Sequence, residues 1–172
     1  MLDKACRPLR DAIELAYCTG QRPSDVLGLK RTDIRDGALW IRQRKTGTAL
    51  RIEITGQLFD VLSRITAEQA LASYGKVRSL YLVQNEQGQP LGTSALRYRF
   101  NRACKAAGID DFQFRDLRGK AATDTEEILG LGHTRKLLGH SSEKMTEHYV
   151  KARAGYRIAP TPHRLIDKKK RS

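Results

Sequence analysis

Residues 38–54 read Ala38-Leu39-Trp40-Ile41-Arg42-Gln43-Arg44-Lys45-Thr46-Gly47-Thr48-Ala49-Leu50-Arg51-Ile52-Glu53-Ile54, and this stretch decides the fold class. Leu39-Trp40-Ile41 and the alternating Leu50, Ile52 and Ile54 are β-type runs on either side of Lys45-Thr46-Gly47-Thr48, which has the chemistry of a hairpin turn. Two antiparallel strands joined near Gly47 are expected. On both sides of this hairpin the apolar residues change to helical spacing. Leu9, Ile13, Leu15 and Ala16 recur in that pattern up to a break at Thr19-Gly20, and Pro23 stands where a new helix begins, with Val26, Leu27 and Leu29 as its buried face. Residues 58–71 read as a helix, 77–83 as a short strand or extended segment, and 94–107 as a helix stopped by Gly108. Three shorter helical stretches follow, over 115–129, 133–138 and 142–151. The expected fold is mainly α with a small antiparallel β-sheet.

At 172 residues and 40% hydrophobic, the chain can bury one proper core and is too short to expect two. A single domain is expected over residues 1–158. Beyond Tyr156 the sequence loosens into Ala159-Pro160-Thr161-Pro162 and ends in Lys168-Lys169-Lys170-Arg171, so 159–172 is expected to be a basic, mobile tail. Lys and Arg number 32 against 19 Asp and Glu, a net charge of +13. An excess of this size points to a polyanion held through phosphate contacts. A membrane partner is not expected, because neither a spanning apolar run nor a basic helix with an apolar aromatic face is present. The N-terminus reads as carrying no signal peptide, and a cytoplasmic protein is expected. Cys6, Cys18 and Cys104 are odd in number and widely spaced, which fits reduced, buried thiols better than disulfides or zinc. His133, His140 and His148 lack zinc-type spacing, so neither a metal nor another cofactor is expected.

Five short segments carry candidate chemistry. Thr19-Gly20-Gln21-Arg22-Pro23-Ser24-Asp25 places Arg22 at the turn entering a helix, beside backbone N–H groups that favour an anion; an ion pair with Asp25 is the plainer alternative. Lys45 stands at the hairpin tip, where a mobile ammonium reaches outside the fold or simply solubilises a turn. Phe112-Gln113-Phe114-Arg115-Asp116-Leu117-Arg118 sets Arg115 and Arg118 three residues apart, on one side of a helix's first turn, with Phe114, Leu117 and Ala121 on the buried side. Two guanidinium groups beside a helix N-terminus are electrostatically costly and easier to explain by a bound phosphate than by stability. The last two segments run together as Leu137-Leu138-Gly139-His140-Ser141-Ser142-Glu143-Lys144-Met145-Thr146-Glu147-His148-Tyr149-Val150. Gly139 ends one helix, Ser141 or Ser142 caps the next, and Tyr149 lies one turn beyond Met145. Taken alone, such a tyrosine is core packing and such a histidine a partly buried loop residue.

The ordered set resembles the tyrosine recombinases, specifically their phage integrase branch: Thr-Gly-x-Arg, a hairpin lysine, a box ending Asp-Leu-Arg, Leu-Gly-His, and a tyrosine nine residues after that histidine. The match runs from Thr19 to Tyr149. It implies the DNA breaking-rejoining catalytic fold of that family and a site-specific recombinase acting on double-stranded DNA. In the family a tyrosine attacks a phosphodiester, forms a 3'-phosphotyrosyl bond and releases a 5'-hydroxyl, and a second 5'-hydroxyl reverses the step. By position Tyr149 is that nucleophile, Arg22 and Arg118 are the two arginines that hold the phosphate, His140 adds a further hydrogen bond, and Lys45 is the general acid on the leaving oxygen. Neither metal nor ATP enters this scheme.

One position departs from the pattern. Arg115 occupies the place where the family most often has His in His-x-x-Arg, and a guanidinium contacts phosphate but cannot act as a base. Three readings stay open: the usual histidine acts electrostatically, another group such as His140 accepts the proton, or the protein is a slow or inactive relative. A type IB topoisomerase and a non-catalytic DNA-binding module are the alternative functions. The resemblance further implies self-association on DNA as a tetrameric synapse, with residues 156–165 docking on a neighbouring subunit, in the nucleoid of a bacterial or phage-host cell. Family members usually carry an N-terminal helical domain clamping the other side of the DNA, so a fragment is expected here.

Overall fold

Helix α1 (Arg7–Thr19) starts with Pro8 in its first turn, where a missing N–H breaks no helical bond, and stops at Gly20. Gly20 is left-handed at φ 62°, and its N–H closes on the Ala16 carbonyl at 2.9 Å. The computed structural model describes residues 2–72 and 79–154, apart from the side chains of 152–154. After α1 come α2 (Pro23–Val26), β1 (Ile34–Arg35), β2 (Ala38–Arg42), β3 (Ala49–Glu53), α3 (Gly56–Ala72), α4 (Thr93–Ala106), α5 (Asp116–Leu138) and α6 (Glu143–Ala154). This is the expected architecture, mainly helical with one small antiparallel sheet.

The sheet has order β1-β2-β3, with Trp40 opposite Arg51 and Ile34 opposite Leu39. Two strands were expected, and the third is β1. Two residues are too short for an alternating pattern to register, although Asp36-Gly37, both at positive φ, carries the turn chemistry that joins β1 to β2. Leu39 and Ile41 face the core, and Gln43 continues the same inward phase. On the outer face Arg35 and Arg51 lie over the Trp40 ring at 4.6 and 5.8 Å.

The main core draws Leu9, Ile13 and Leu15 from α1, Leu58, Leu62 and Ile65 from α3, and Leu96 and Phe100 from α4, with Leu39 and Ile41 closing it. Phe100 meets Phe114 edge-on at 5.4 Å, which anchors the approach to α5. A separate small cluster, formed by Ala122, Leu138 and Val150 with Tyr149 packed against it, joins α6 to α5. Arg64 on α3 ties back to α1 through Asp11 at 2.8 Å and Glu14 at 2.5 Å.

Several local expectations need adjusting. Cys104 is buried, but Cys6 is exposed and Cys18 only partly covered, because Cys6 precedes α1 and Cys18 lies on its flank. The extended residues 79–83 bond to the loop before β1, Leu82 N–H to the Leu29 carbonyl and Arg31 N–H to the Leu80 carbonyl, rather than joining the sheet. The helices expected over 115–129 and 133–138 are the halves of α5, divided at Gly130 with φ 79° and ψ 170°. The start of the 77–83 segment, the boundary at residue 158, the docking stretch 156–165 and the tail 159–172 lie outside the described residues. Among the described residues no helix is long and apolar enough to cross a membrane.

Candidate active site

Arg118 lies in the first turn of α5, yet its side chain is almost wholly buried, at 5% exposure. It points away from solvent because two carbonyls face it: Nη1 donates to Gly20 O at 2.6 Å and Nη2 to Leu138 O at 2.7 Å. Both acceptors sit where a helix has just ended, so their lone pairs are unused by the helical ladder. The arginine thus pins the end of α1 to the end of α5. Nη2 also lies 3.3 Å from His140 Nε2. A guanidinium only donates, so Nε2 is the acceptor and the imidazole proton belongs on Nδ1. Nδ1 stands 3.0 Å from Thr146 Oγ1, whose hydroxyl reaches the Ser142 carbonyl at 3.5 Å. The chain of bonds therefore runs one way, from Arg118 through His140 to α6.

Electrostatics agrees with that direction. Burial, then the charges of Arg118 and Arg22, pushes the His140 pKa down to about 4, so the ring is neutral near pH 7. Burial, followed by repulsion from Arg22, lowers Arg118 to about 10, which still leaves it charged. Tyr149 approaches the His140 ring edge-on, with centroids 6.0 Å apart.

Arg22 caps the short helix α2 in extended backbone geometry. Its Nη1 lies 3.3 Å from Gln43 Oε1 and 4.0 Å from Asp25 Oδ2. The Asp25 pairing weighed in the sequence is therefore present, at the outer limit of an ion pair. Asp25 is buried and also accepts the Arg44 backbone N–H at 2.9 Å, which fixes the start of the hairpin turn.

The remaining candidates stand apart. Lys45 is exposed on the turn, and its ammonium makes none of the hydrogen bonds or ion pairs found among the described residues. Arg115 caps α5 and is exposed, lining an open groove with Pro23, Thr93, Arg97 and Asn101. Arg115 and Arg118 thus do not share a surface: the first helical turn carries one outward and one inward. Among the described residues Arg115 makes no hydrogen bond to the Arg118–His140–Tyr149 group. His133 and His148 are exposed and take no part. No three His, Cys, Asp or Glu side chains among the described residues gather as metal ligands would.

Sequence reasoning missed Gln21, Gln43 and Thr146. All three are buried polar side chains, at 1%, 1% and 0% exposure, inside the cluster. Gln43 Nε2 donates to Gln21 Oε1 at 2.7 Å and to Leu138 O at 2.9 Å, while Gln21 Nε2 donates to Thr19 O and Leu137 O. The readable signal was the phase of β2, since a polar residue at 43 follows Leu39 and Ile41 on the inward face. Chemically, two buried or half-buried guanidinium groups, a neutral imidazole and a phenol are the kinds of group that can hold an oxyanion and present a nucleophile to it.

Comparison with known proteins agrees with this chemistry. The sequence pattern of the phage integrase family matches residues 1–155. The integrase of Enterobacteria phage P21 is 35% identical over 153 residues, covering 82% of this chain and 40% of its own length. That of Escherichia phage lambda is 33% identical over 146 residues, with the same coverages. The tyrosine recombinase XerC of Corynebacterium glutamicum is 29% identical, over 83% of this chain and 46% of its own. Among solved structures, a lambda integrase dimer bound to a COC' core site superposes with a TM-score of 0.77 at 27% identity, over 92% of this chain and 46% of that one. The lambda integrase catalytic core gives 0.68 at 28% identity, over 77% and 80%. The chain spans about 40% of the length of the curated phage integrases it matches. With its pattern matched over residues 1–155 of 172, the chain belongs to the phage integrase family.

Proposed function

We propose that the chain is the catalytic portion of a site-specific DNA recombinase that breaks and rejoins strands through a phosphotyrosyl bond to Tyr149. The observation that carries this reading is the packing of Tyr149 on His140, which Arg118 contacts in turn, with Arg22 close enough to perturb both. Tyr149 Oη attacks the scissile phosphorus, the 3'-phosphotyrosyl bond forms, and the bond to the 5'-oxygen breaks. Arg22 and Arg118 hold the non-bridging oxygens as charge gathers on them. Lys45, exposed on its turn, supplies the proton to the leaving 5'-oxygen. Because Arg115 cannot take a proton and the His140 Nε2 lone pair is already engaged by Arg118, the Tyr149 phenol passes its proton to water as it attacks, with Arg22 and Arg118 stabilising the charge that develops. Arg115 contributes phosphate affinity from the neighbouring groove. In this reading residues 1–158 are the catalytic unit, and the basic residues 168–171 add affinity for polyanions.

Double-stranded DNA is the substrate, and the +13 charge favours its capture. Lambda integrase structures include a dimer on a COC' core site and a tetramer on a Holliday junction, which supports self-association of the full-length protein on DNA. Relatives of both phage integrase and XerC or XerD type favour strand exchange over a topoisomerase or a non-catalytic module. A nicked suicide duplex tests the reading, since wild type is expected to give a slow-migrating covalent adduct. Tyr149→Phe is expected to bind equally and give none; an adduct that persists in this variant moves the nucleophile elsewhere.

A further inference from the structure

We infer that Gln43 is a positioning residue whose side-chain amide orients Arg22 and seats the Lys45 turn as one unit. The inference rests on the recombinase reading above. Gln43 lies at 1% exposure on a strand phase otherwise filled by Leu39 and Ile41, where a leucine would continue the apolar face. A buried amide is costly unless every polar atom is paired, and here each one is. Oε1 accepts from Thr46 Oγ1 at 2.7 Å and from Arg22 Nη1 at 3.3 Å. Nε2 donates to Gln21 Oε1 at 2.7 Å and to Leu138 O at 2.9 Å.

Flipping the amide would set N–H against N–H at Arg22 and oxygen against oxygen at both Gln21 and Leu138. The orientation is therefore fixed by its partners. Gly139 presses on the same amide, for a Cβ placed there would come within 2.9 Å of Nε2. The backbone of Gln43 also carries the hairpin turn: its N–H donates to Thr48 O at 2.9 Å, and its carbonyl accepts from Gly47 at 2.8 Å. Lys45 sits between two pinned neighbours. Arg44 is held through its N–H by Asp25, and Thr46 through its hydroxyl by Gln43, while the Lys45 side chain itself is exposed. One amide thus sets the place from which the lysine reaches and the direction in which Arg22 points.

The test uses the 172-residue chain on two suicide duplexes that differ at the scissile bond, one with the natural 5'-oxygen and one with a 5'-sulfur, which leaves without an acid. Wild type is expected to form adduct on both. Thr46→Val, which removes the hydroxyl that donates to Gln43 Oε1 and accepts from Thr48, is expected to slow cleavage about tenfold on the oxygen duplex and less than about twofold on the sulfur duplex. Gln43→Ala loses the hold on Arg22 as well, so about a hundredfold loss on oxygen and about tenfold on sulfur are expected. Far-ultraviolet circular dichroism checks its fold, and if it is unfolded the Thr46→Val pair of rates decides alone. Equal factors on the two duplexes for Thr46→Val, or no defect on either, overturn the inference while leaving the recombinase reading intact. Absence of any wild-type adduct brings down that reading and the inference together.

Discussion

Removing Arg118 and removing Arg22 are expected to have opposite consequences for stability, although both arginines are assigned to the same phosphate. Arg118→Ala deletes the 2.6 Å bond to Gly20 O and the 2.7 Å bond to Leu138 O, both made by a side chain that is 5% exposed. Charge-assisted bonds of this kind contribute about 1.5–3 kcal/mol each. Relief of a desolvated charge that Arg22 repels returns part of that sum, leaving a net loss of about 3 kcal/mol. For a chain of this size the melting temperature should fall by about 6–12 °C. Arg22 makes only a 3.3 Å bond and a 4.0 Å ion pair, and its charge disfavours Arg118. Arg22→Ala should therefore lie within about 0.5 kcal/mol of wild type or be slightly more stable. Thermal melts at low salt without DNA measure the difference. Equal melting temperatures for the two variants would refute the claim that Arg118 braces the α1–α5 junction while Arg22 is held in reserve for a ligand.

Because the folded His140 pKa lies near 4, below the ordinary value of about 6.5, its packing contributes fully above pH 6.5 and is lost as pH falls towards 4. The adduct-forming rate should accordingly stay level down to about pH 5; an acid limb centred near 6.5 would show an imidazole that titrates as it does in water. Gly139→Ala meets both a left-handed φ of 64° and the Gln43 amide 2.9 Å away, so urea titration should show a loss of about 2 kcal/mol or more. Gly47→Ala has a similar φ of 70° but open space around it and should cost about 1 kcal/mol, so equal losses would remove the Gln43 contact from the account. Arg115→His alters an exposed side chain and should leave stability within about 0.5 kcal/mol while preserving or raising cleavage. Complete loss of cleavage would mean that the groove beside Pro23 and Arg97 is built around the guanidinium.

Helix ends were legible because single residues announce them: Pro23 opens α2, and Gly20 and Gly139 close α1 and α5 in left-handed geometry. The hairpin was legible through alternation around Lys45-Thr46-Gly47. The inward turn of Arg118 was not, because sequence spacing places Arg115 and Arg118 on a common side of a helix but says nothing about which neighbouring carbonyls lack donors. Gly20 O and Leu138 O belong to residues 98 and 20 positions away. Gln21 and Gln43 escaped notice for the same reason, since their value lies in bonding across elements and nothing local distinguishes a buried glutamine from an exposed one. Only the strand phase at residue 43 could have raised the question.

Among the described residues, helix α6 meets the body through Val150, the packed side of Tyr149 and the Thr146–His140 bond, set against Ala122 and Leu138. Because that cluster is separate from the main core, an opening of α6 leaves the packing of α1, α3 and α4 untouched. On the recombinase reading, a surface that touches α6 would bear on where the Tyr149 phenol stands, whereas Arg118 is bonded into the junction of α1 and α5 and would keep its place.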